Sequence, residues 1–286
     1  VRACALASVD VLDLHSHTTA SDGALRPAEL IRAARAAGVT TLAVTDHDTL
    51  EGLREAVDEG DRVGVEVLTG VEISTTASTG AAVHVLGYLF RAEDPELRAT
   101  LTRVLRGRAD RNEAMAARLA ELGMPVALEE VRALADGTVG RPHFARAMVI
   151  AGYVSSVDVA FSRWLGDGKP ACVDRAALTP AEAVRAIQRA GGVAVLAHPL
   201  SHRRSPEHAL RELEAARDAG FDGVEVYYRN HTPGEVRMLR SFAAQLGLIG
   251  TGGSDMHDGR WPTPPALPPN TLDLLQARAR TRAQAA

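Results

Sequence analysis

The sequence predicts an α/β fold built on a parallel sheet, either a barrel or a doubly wound arrangement. Three observations predict it. Short apolar strands alternate with amphipathic helices at both ends of the chain, the alternation breaks once in the middle, and histidines gather where predicted strands end.

Val9–Leu14 alternates into the segment HSH like a strand, and Pro27–Ala37 is an amphipathic helix with Pro at its start and Gly38 beyond its end. The unit repeats as a strand over Thr41–Thr45 and a helix over Leu50–Glu59, followed by a strand near Val65–Ser74 and an apolar stretch Ala81–Phe90. Late in the chain the rhythm resumes. Helices Pro180–Ala190, Glu207–Ala219 and Pro233–Leu246 alternate with strands Val193–Ala197, Phe221–Tyr227 and Leu248–Thr251. From about Pro95 to Gly168 only helical periodicity is present, which predicts an inserted helical subdomain. The expected division is a barrel-type unit over 9–97 and 169–275, an insertion over 98–168, and a tail over 276–286, with the Pro-rich stretch Pro262–Pro269 as a loop or strap.

The chain has 286 residues, 46% hydrophobic and 24% charged, and can bury a full core. A net charge of −4 argues against general polyanion binding while leaving room for a local basic patch. Cys4 and Cys172 stand far apart, so neither a disulfide framework nor a thiolate zinc site is expected, and a cytoplasmic home is the simplest. No apolar run reaches the ~20 residues of a membrane span. Nothing in the sequence calls for a membrane or an obligate protein partner. At 4% aromatic residues, the chain lacks the stacking platform of a nucleic-acid binding module.

The chemistry is concentrated in His15, His17, His47, His84, His198 and His257, all expected at strand ends, with Asp22, Glu72 and Asp255 beside them. Successive strand side chains alternate faces, so His15 and His17 should point together, as should Asp255 and His257, leaving Leu12 and Leu14 to face the helices. Any one of these histidines alone reads as an ordinary core or surface residue. Six together, with three carboxylates, read as a metal site. Imidazole and carboxylate without thiolate suit zinc, manganese or iron, and the donors outnumber what one ion can use, so two or three divalent ions are expected. His202, His208 and His231 are expected to be structural. Asp13 and Asp46 either orient imidazoles or cap local turns.

The segments DLHSHTTASDG, VTDHDTL, GVEIS, HVLGY, LAHP and GGSDMH, in this order over about residues 10 to 257, resemble the PHP family, the polymerase-and-histidinol-phosphatase superfamily. The resemblance implies a distorted (β/α)7 TIM-like barrel with an inserted helical subdomain and a trinuclear site. It implies that His15, His17, Glu72 and Asp255 hold one metal, Asp22, His47 and His257 a second, and Glu72, His84 and His198 a third. His143 is the alternative to His84, whose spacing from the preceding motif varies in the family.

Close-set divalent ions activate a shared water for in-line attack on a phosphoester, so the metal-bound hydroxide is the expected nucleophile and no Ser or Cys is called for. Neither a GxSxG elbow nor a Walker loop is present. In the insertion, the Arg-rich stretch Arg108–Asn112 and the segment GRPH resemble the PHP subgroup that dephosphorylates nucleotides. That subgroup includes nucleoside 3′,5′-bisphosphate phosphatases and relatives that trim short RNA from the 5′ end. Under this resemblance Arg108, Arg111, Asn112, Arg141 and His143 contact a small phosphorylated substrate, a nucleotide by preference, 5′-monophosphates included. The alternatives are a phosphatase of histidinol phosphate or another small metabolite, and a non-catalytic PHP module.

Overall fold

The computed structural model describes residues 10–135, 139–166, 168–173, 178–200 and 206–285. Seven strands form one sheet in chain order: β1 (Leu12–Asp13), β2 (Thr41–Val44), β3 (Glu66–Thr76), β4 (Ala82–Tyr88), β5 (Val193–Leu196), β6 (Gly223–Tyr228) and β7 (Ile249–Gly253). Backbone bonds draw the two edges together. Leu14 N donates to Gly252 O (3.2 Å), Asp255 N to His15 O (2.8 Å) and His17 N to Met256 O (3.0 Å). The result is a distorted barrel. Gly253 is required at this seam, because a Cβ there would strike the backbone and Cβ of His15.

The sheet is not wholly parallel, which corrects the sequence expectation: β4 runs antiparallel to both β3 and β5. The cause is local. The turn joining β3 to β4, closed by Ala77 N to Ala81 O (2.8 Å), is too short for the crossover that a parallel neighbour needs.

Helices α1 (Pro27–Ala36), α2 (Leu53–Val63), α7 (Pro180–Arg189), α8 (Pro206–Asp218) and α9 (Pro233–Leu246) surround the sheet. The starts of α7 and α9 follow capping rules. Pro233 stands at the first turn of α9, and Thr232 and Glu235 exchange hydrogen bonds across it. Strand residues such as Leu42 and Val44 pack outward on Leu30, Ile31 and Ala34, while Val224 and Val226 join Leu213, Leu239 and Ala243. The interior layer holds Ala43, Leu68, Leu86, Tyr88, Val193, Val195 and Ile249. Leu14 belongs to this interior layer, against the expectation that it would face the helices. The ladder of β1 ends after Asp13, so strict alternation ends with it.

Between β4 and β5 the chain forms α3 (Pro95–Glu121), α4 (Leu128–Ala133), α5 (Arg141–Ile150) and α6 (Val157–Ala160), with one π-turn over Phe161–Leu165. Asp94 caps α3 by accepting from Leu97 N (3.1 Å). The first half of α3 buries Leu97, Leu101 and Val104 against the barrel's outer core. Its second half sends Met115 and Leu119 into a separate core with Val131, Phe144, Met148 and Leu165.

The stretch expected as a tail is part of a helix, α10 (Thr271–Ala285). Leu275 enters the interior layer, and the buried carboxylate of Asp222 accepts from Arg278 (2.9 Å) and Arg282 (2.6 Å). Few apolar residues mark this helix, so its periodicity is faint in the sequence. Among the described residues, no helix is long and apolar enough to cross a membrane.

Candidate metal centre

Four parallel strand ends deliver His15 and His17 (after β1), His47 (after β2), His198 (after β5) and Asp255 and His257 (after β7) to one rim. Glu72 lies within β3, and Asp22 in the loop beyond His17. His84 is near the start of β4, not at a strand end as expected; the reversal of β4 brings it to the same rim, opposite Ser74. All nine candidate ligands therefore meet in one cluster.

Glu72 is its centre. Oε2 lies 3.3 Å from Nε2 of His15 and of His17 and 3.1 Å from Nδ1 of His47. Oε1 lies 2.8 Å from Nδ1 of His84 and 3.1 Å from Nε2 of His198. Asp255 Oδ1 stands 3.2 Å from His17 and 3.4 Å from both His15 and His257. Asp22 faces His257 (3.3 Å), His17 (3.6 Å) and His47 (3.7 Å).

Three sets of donor atoms gather within 4.8 Å of one another: His17, Asp22, His47 and His257; His15, His17 and Glu72; and His47, Glu72 and His84. Glu72 belongs to two sets, as the resemblance implies. His17 and His47 also face two sets each, which sequence reasoning did not anticipate. Of the two alternatives for the third set, His84 is the one beside Glu72; His143 Nδ1 instead accepts from Gly140 N (3.0 Å) and caps α5.

The electrostatics are those of a site built for cations. Burial alone would raise the Glu72 carboxyl, yet the imidazoles of His47, His84 and His15 hold it well below the usual carboxylate range. Burial also opposes the ionised forms of Asp22 and Asp255, and neighbouring histidines overcome it to keep both below that range. Burial pushes His47 down to about 4. His257 also feels burial, but the hydrogen bond to Asp22 and the charges of Asp255 and Asp22 lift it to about 9.

Whether these residues suit a metal is decided by their unused atoms. His15 Nε2, both ring nitrogens of His17 and His47 Nδ1 are buried with no hydrogen-bond partner, although carboxylate oxygens lie 3.1–3.6 Å away. Two donors on one ion at about 2.0–2.2 Å are themselves about 3 Å apart. The spacing fits shared cations, and the N/O donor set fits divalent ions. Backbone strain accompanies the cluster: Asp48 (φ 59°), His198 (φ 25°) and Asp255 (φ 49°) all adopt positive φ.

A model of the PHP domain matches residues 13–96. Over 245 residues the chain is 39% identical to a 5′-3′ exoribonuclease of Haemophilus influenzae, spanning 86% of this chain and 89% of that one. The chain belongs to the PHP family. Similarity extends to a 3′,5′-nucleoside bisphosphate phosphatase of Chromobacterium violaceum, 35% identical over 251 residues, 86% of this chain and 87% of that one. A solved structure of an amidohydrolase from Chromobacterium violaceum, with bound sulfate and no metal, superposes with a TM-score of 0.80 at 33% identity, covering 93% of this chain and 96% of that chain. This PHP protein is a metal-dependent hydrolase of phosphate esters.

Beside the PHP cluster opens a cavity of about 340 Å³, lined by Ser74, Thr75, His84, Arg108, Arg111 and Arg141 among others. His84 is common to the cavity and the cluster. Arg108 donates to the buried Asp48 carboxylate and to Ser74 Oγ (2.7 Å). Asn112 and His143, expected at the substrate, are not among the cavity's lining residues. Asn112 is buried, accepting from Arg111 (3.2 Å) and donating to Val139 O (3.1 Å).

Asp13 and Asp46 engage backbone and hydroxyl groups, not imidazoles. Asp46 accepts from Thr18 N and Thr18 Oγ1 (2.7 Å each) and Ser21 Oγ (2.6 Å), fixing the loop that carries Asp22. Asp13 accepts from Ser254 N (2.8 Å), and burial lifts its carboxyl to about 6. Three residues escaped sequence reasoning: Asp48, Glu225 and Tyr228, whose hydroxyl donates to Asp255 Oδ2 (2.9 Å). Their signals were weak, although Asp48 sits within VTDHDTL. His231 Nδ1 meets Val226 O (3.0 Å), a structural role; His202 and the side chain of His208 lie outside the described residues.

Proposed function

We propose that this PHP hydrolase removes phosphate from nucleotides, with nucleoside 3′,5′-bisphosphates and 5′-monophosphates as its substrate class. The observation that carries the reading is the arginine-lined cavity opening onto His84, so that a bound phosphate could reach both guanidinium groups and the cluster. The names of the Haemophilus and Chromobacterium relatives and the sulfate in the Chromobacterium structure point to the same chemistry.

The candidate ligands are His15, His17, Asp22, His47, Glu72, His84, His198, Asp255 and His257, holding two or three manganese, iron or zinc ions. When bound, such ions polarise phosphate oxygens and lower the pKa of water to near neutrality. The chain's own residues do the rest. Arg111 and Arg141 bind the phosphate that is not cleaved, and Arg108, tied to Asp48, holds the helical insertion (98–168) over the barrel (9–97 and 169–275) as a lid. Among the described residues the cavity lining contains no Phe, Tyr or Trp, so the base is held loosely. A cytoplasmic location suits a chain with two distant cysteines and a nucleotide substrate.

Trimming of short RNA from the 5′ end is the second reading, favoured by the identity to the Haemophilus exoribonuclease. Purified protein supplied with manganese is expected to release phosphate from nucleoside 3′,5′-bisphosphates or 5′-monophosphates. Turnover of histidinol phosphate alone would sink the nucleotide reading, and mononucleotide release from 5′-phosphorylated oligomers without bisphosphate turnover would favour the second.

A further inference from the structure

We infer that Glu225 is a positioning residue for the metal centre, bracing His15 through its ring and His198 through its backbone; the inference rests on the metal reading above. Glu225 lies in β6 between the outward-facing Val224 and Val226, so its side chain enters the barrel, where it is fully buried. Oε1 lies 3.0 Å from His15 Nδ1, and Oε2 accepts from the backbone N–H of His198 at 2.8 Å.

Both contacts have consequences for donor geometry. A carboxylate offers no hydrogen, so the hydrogen of this contact resides on His15 Nδ1. Nε2 is then the nitrogen left for a metal, facing Glu72 and Asp255, 3.3 Å and 3.4 Å away, with no hydrogen-bond partner of its own. The second contact holds a residue in a disfavoured conformation. His198 has φ 25°, and its buried N–H is satisfied by Glu225 while its ring reaches Glu72 at 3.1 Å. One side chain thus braces donors contributed by β1 and β5, on two separate segments of the chain.

A glutamine has nearly the same shape but only one acceptor, so Glu225→Gln cannot serve both donors. If its oxygen takes the His198 N–H, its amide donates to His15 Nδ1 and forces the hydrogen onto Nε2, toward the carboxylates. If its oxygen takes His15, its amide opposes the His198 N–H. Either way a ligand is misdirected.

The test uses the full chain, stripped with chelator and titrated with zinc, followed by calorimetry and by nitrogen-15 NMR of the imidazoles. The zinc-loaded wild type is expected to show a slowly exchanging Nδ1–H on His15. Glu225→Gln is expected to shift or lose that signal and to bind at least one zinc about 10–100-fold more weakly. A merely structural role would lower the melting temperature in chelator and leave zinc affinity and the imidazole signal unchanged, which would overturn the inference. Wild type that takes up no zinc overturns the metal reading and this inference with it; zinc uptake unaltered by Glu225→Gln overturns this inference alone. Should the variant be too unstable to load, the wild-type signal decides: hydrogen on Nδ1 supports the inference, and hydrogen on Nε2 refutes it.

Discussion

Arg108, on the long helix α3, donates to Asp48, a fully buried carboxylate at the rim of the barrel, and the same guanidinium reaches Ser74 Oγ at 2.7 Å. Asp48 also accepts from Ser74 N at 2.7 Å and Ser74 Oγ at 2.9 Å. Removing the carboxylate leaves a largely buried guanidinium without its counter-ion. Asp48→Ala is expected to lower unfolding stability by about 3–5 kcal/mol, as read by urea denaturation. A loss below about 1 kcal/mol would show that the pair is solvated and contributes little.

Arg111 and Arg141 line the cavity beside Arg108. A charge-assisted hydrogen bond is worth about 1.5–3 kcal/mol, so Arg141→Ala should raise KM for a nucleoside bisphosphate about 10–100-fold. A minimal ester such as p-nitrophenyl phosphate, which has no second phosphate to hold, should show little change. Equal losses on both substrates would place Arg141 in the chemical step instead.

Metal uptake should release protons at neutral pH. Without metal His257 titrates at about 9 and is protonated at pH 7, whereas His47, at about 4, is already neutral. A ligand must be neutral to bind, so His257 gives up its proton and apparent affinity rises as pH increases toward about 9, with no contribution from His47. Calorimetry in buffers of different ionisation enthalpy checks this. His257→Ala should reduce the release, and an unchanged count would refute the assignment.

Asp222 predicts the opposite separation of stability from activity. Its carboxylate holds Arg278 and Arg282 of α10, accepts from Ala194 N at 2.9 Å, and is 1% exposed. Asp222→Ala should cost about 3–5 kcal/mol by chemical denaturation, leaving kcat per folded molecule unchanged. A fall in kcat at full folding would mean that α10 communicates with the rim.

His15, His17, His47, His198, Asp255 and His257 were legible because they stand in polar breaks where strands end, whereas Glu72 and His84, each between apolar neighbours within a strand, were legible through the segments GVEIS and HVLGY. Glu225 was not. Between Val224 and Val226 it reads as the polar half of an alternating strand, and only closure of the sheet reveals that this face points inward. The direction of β4 was partly legible, since no helix separates Val65–Ser74 from Ala81–Phe90; strand composition itself carries no sense of direction. The helix α10 was hidden because Leu275 is its single fully buried apolar residue among the described ones, and it is also tied through arginines to an aspartate far away in sequence.

The reversal of β4 decides where the helical part of the molecule stands. A strand pointing the other way ends on the floor of the barrel, so the chain leaving Tyr88 must climb the whole wall to regain the rim. Helix α3 makes that ascent, and its 27 residues amount to about 40 Å at 1.5 Å each, longer than a wall of short strands. The surplus carries Met115 and Leu119 past the rim into the second core. Headroom above the cluster is therefore a matter of residue count in a single helix. Four residues added or removed between Arg108 and Met115 would move the roof by about one turn, near 6 Å, with every ligand left in place.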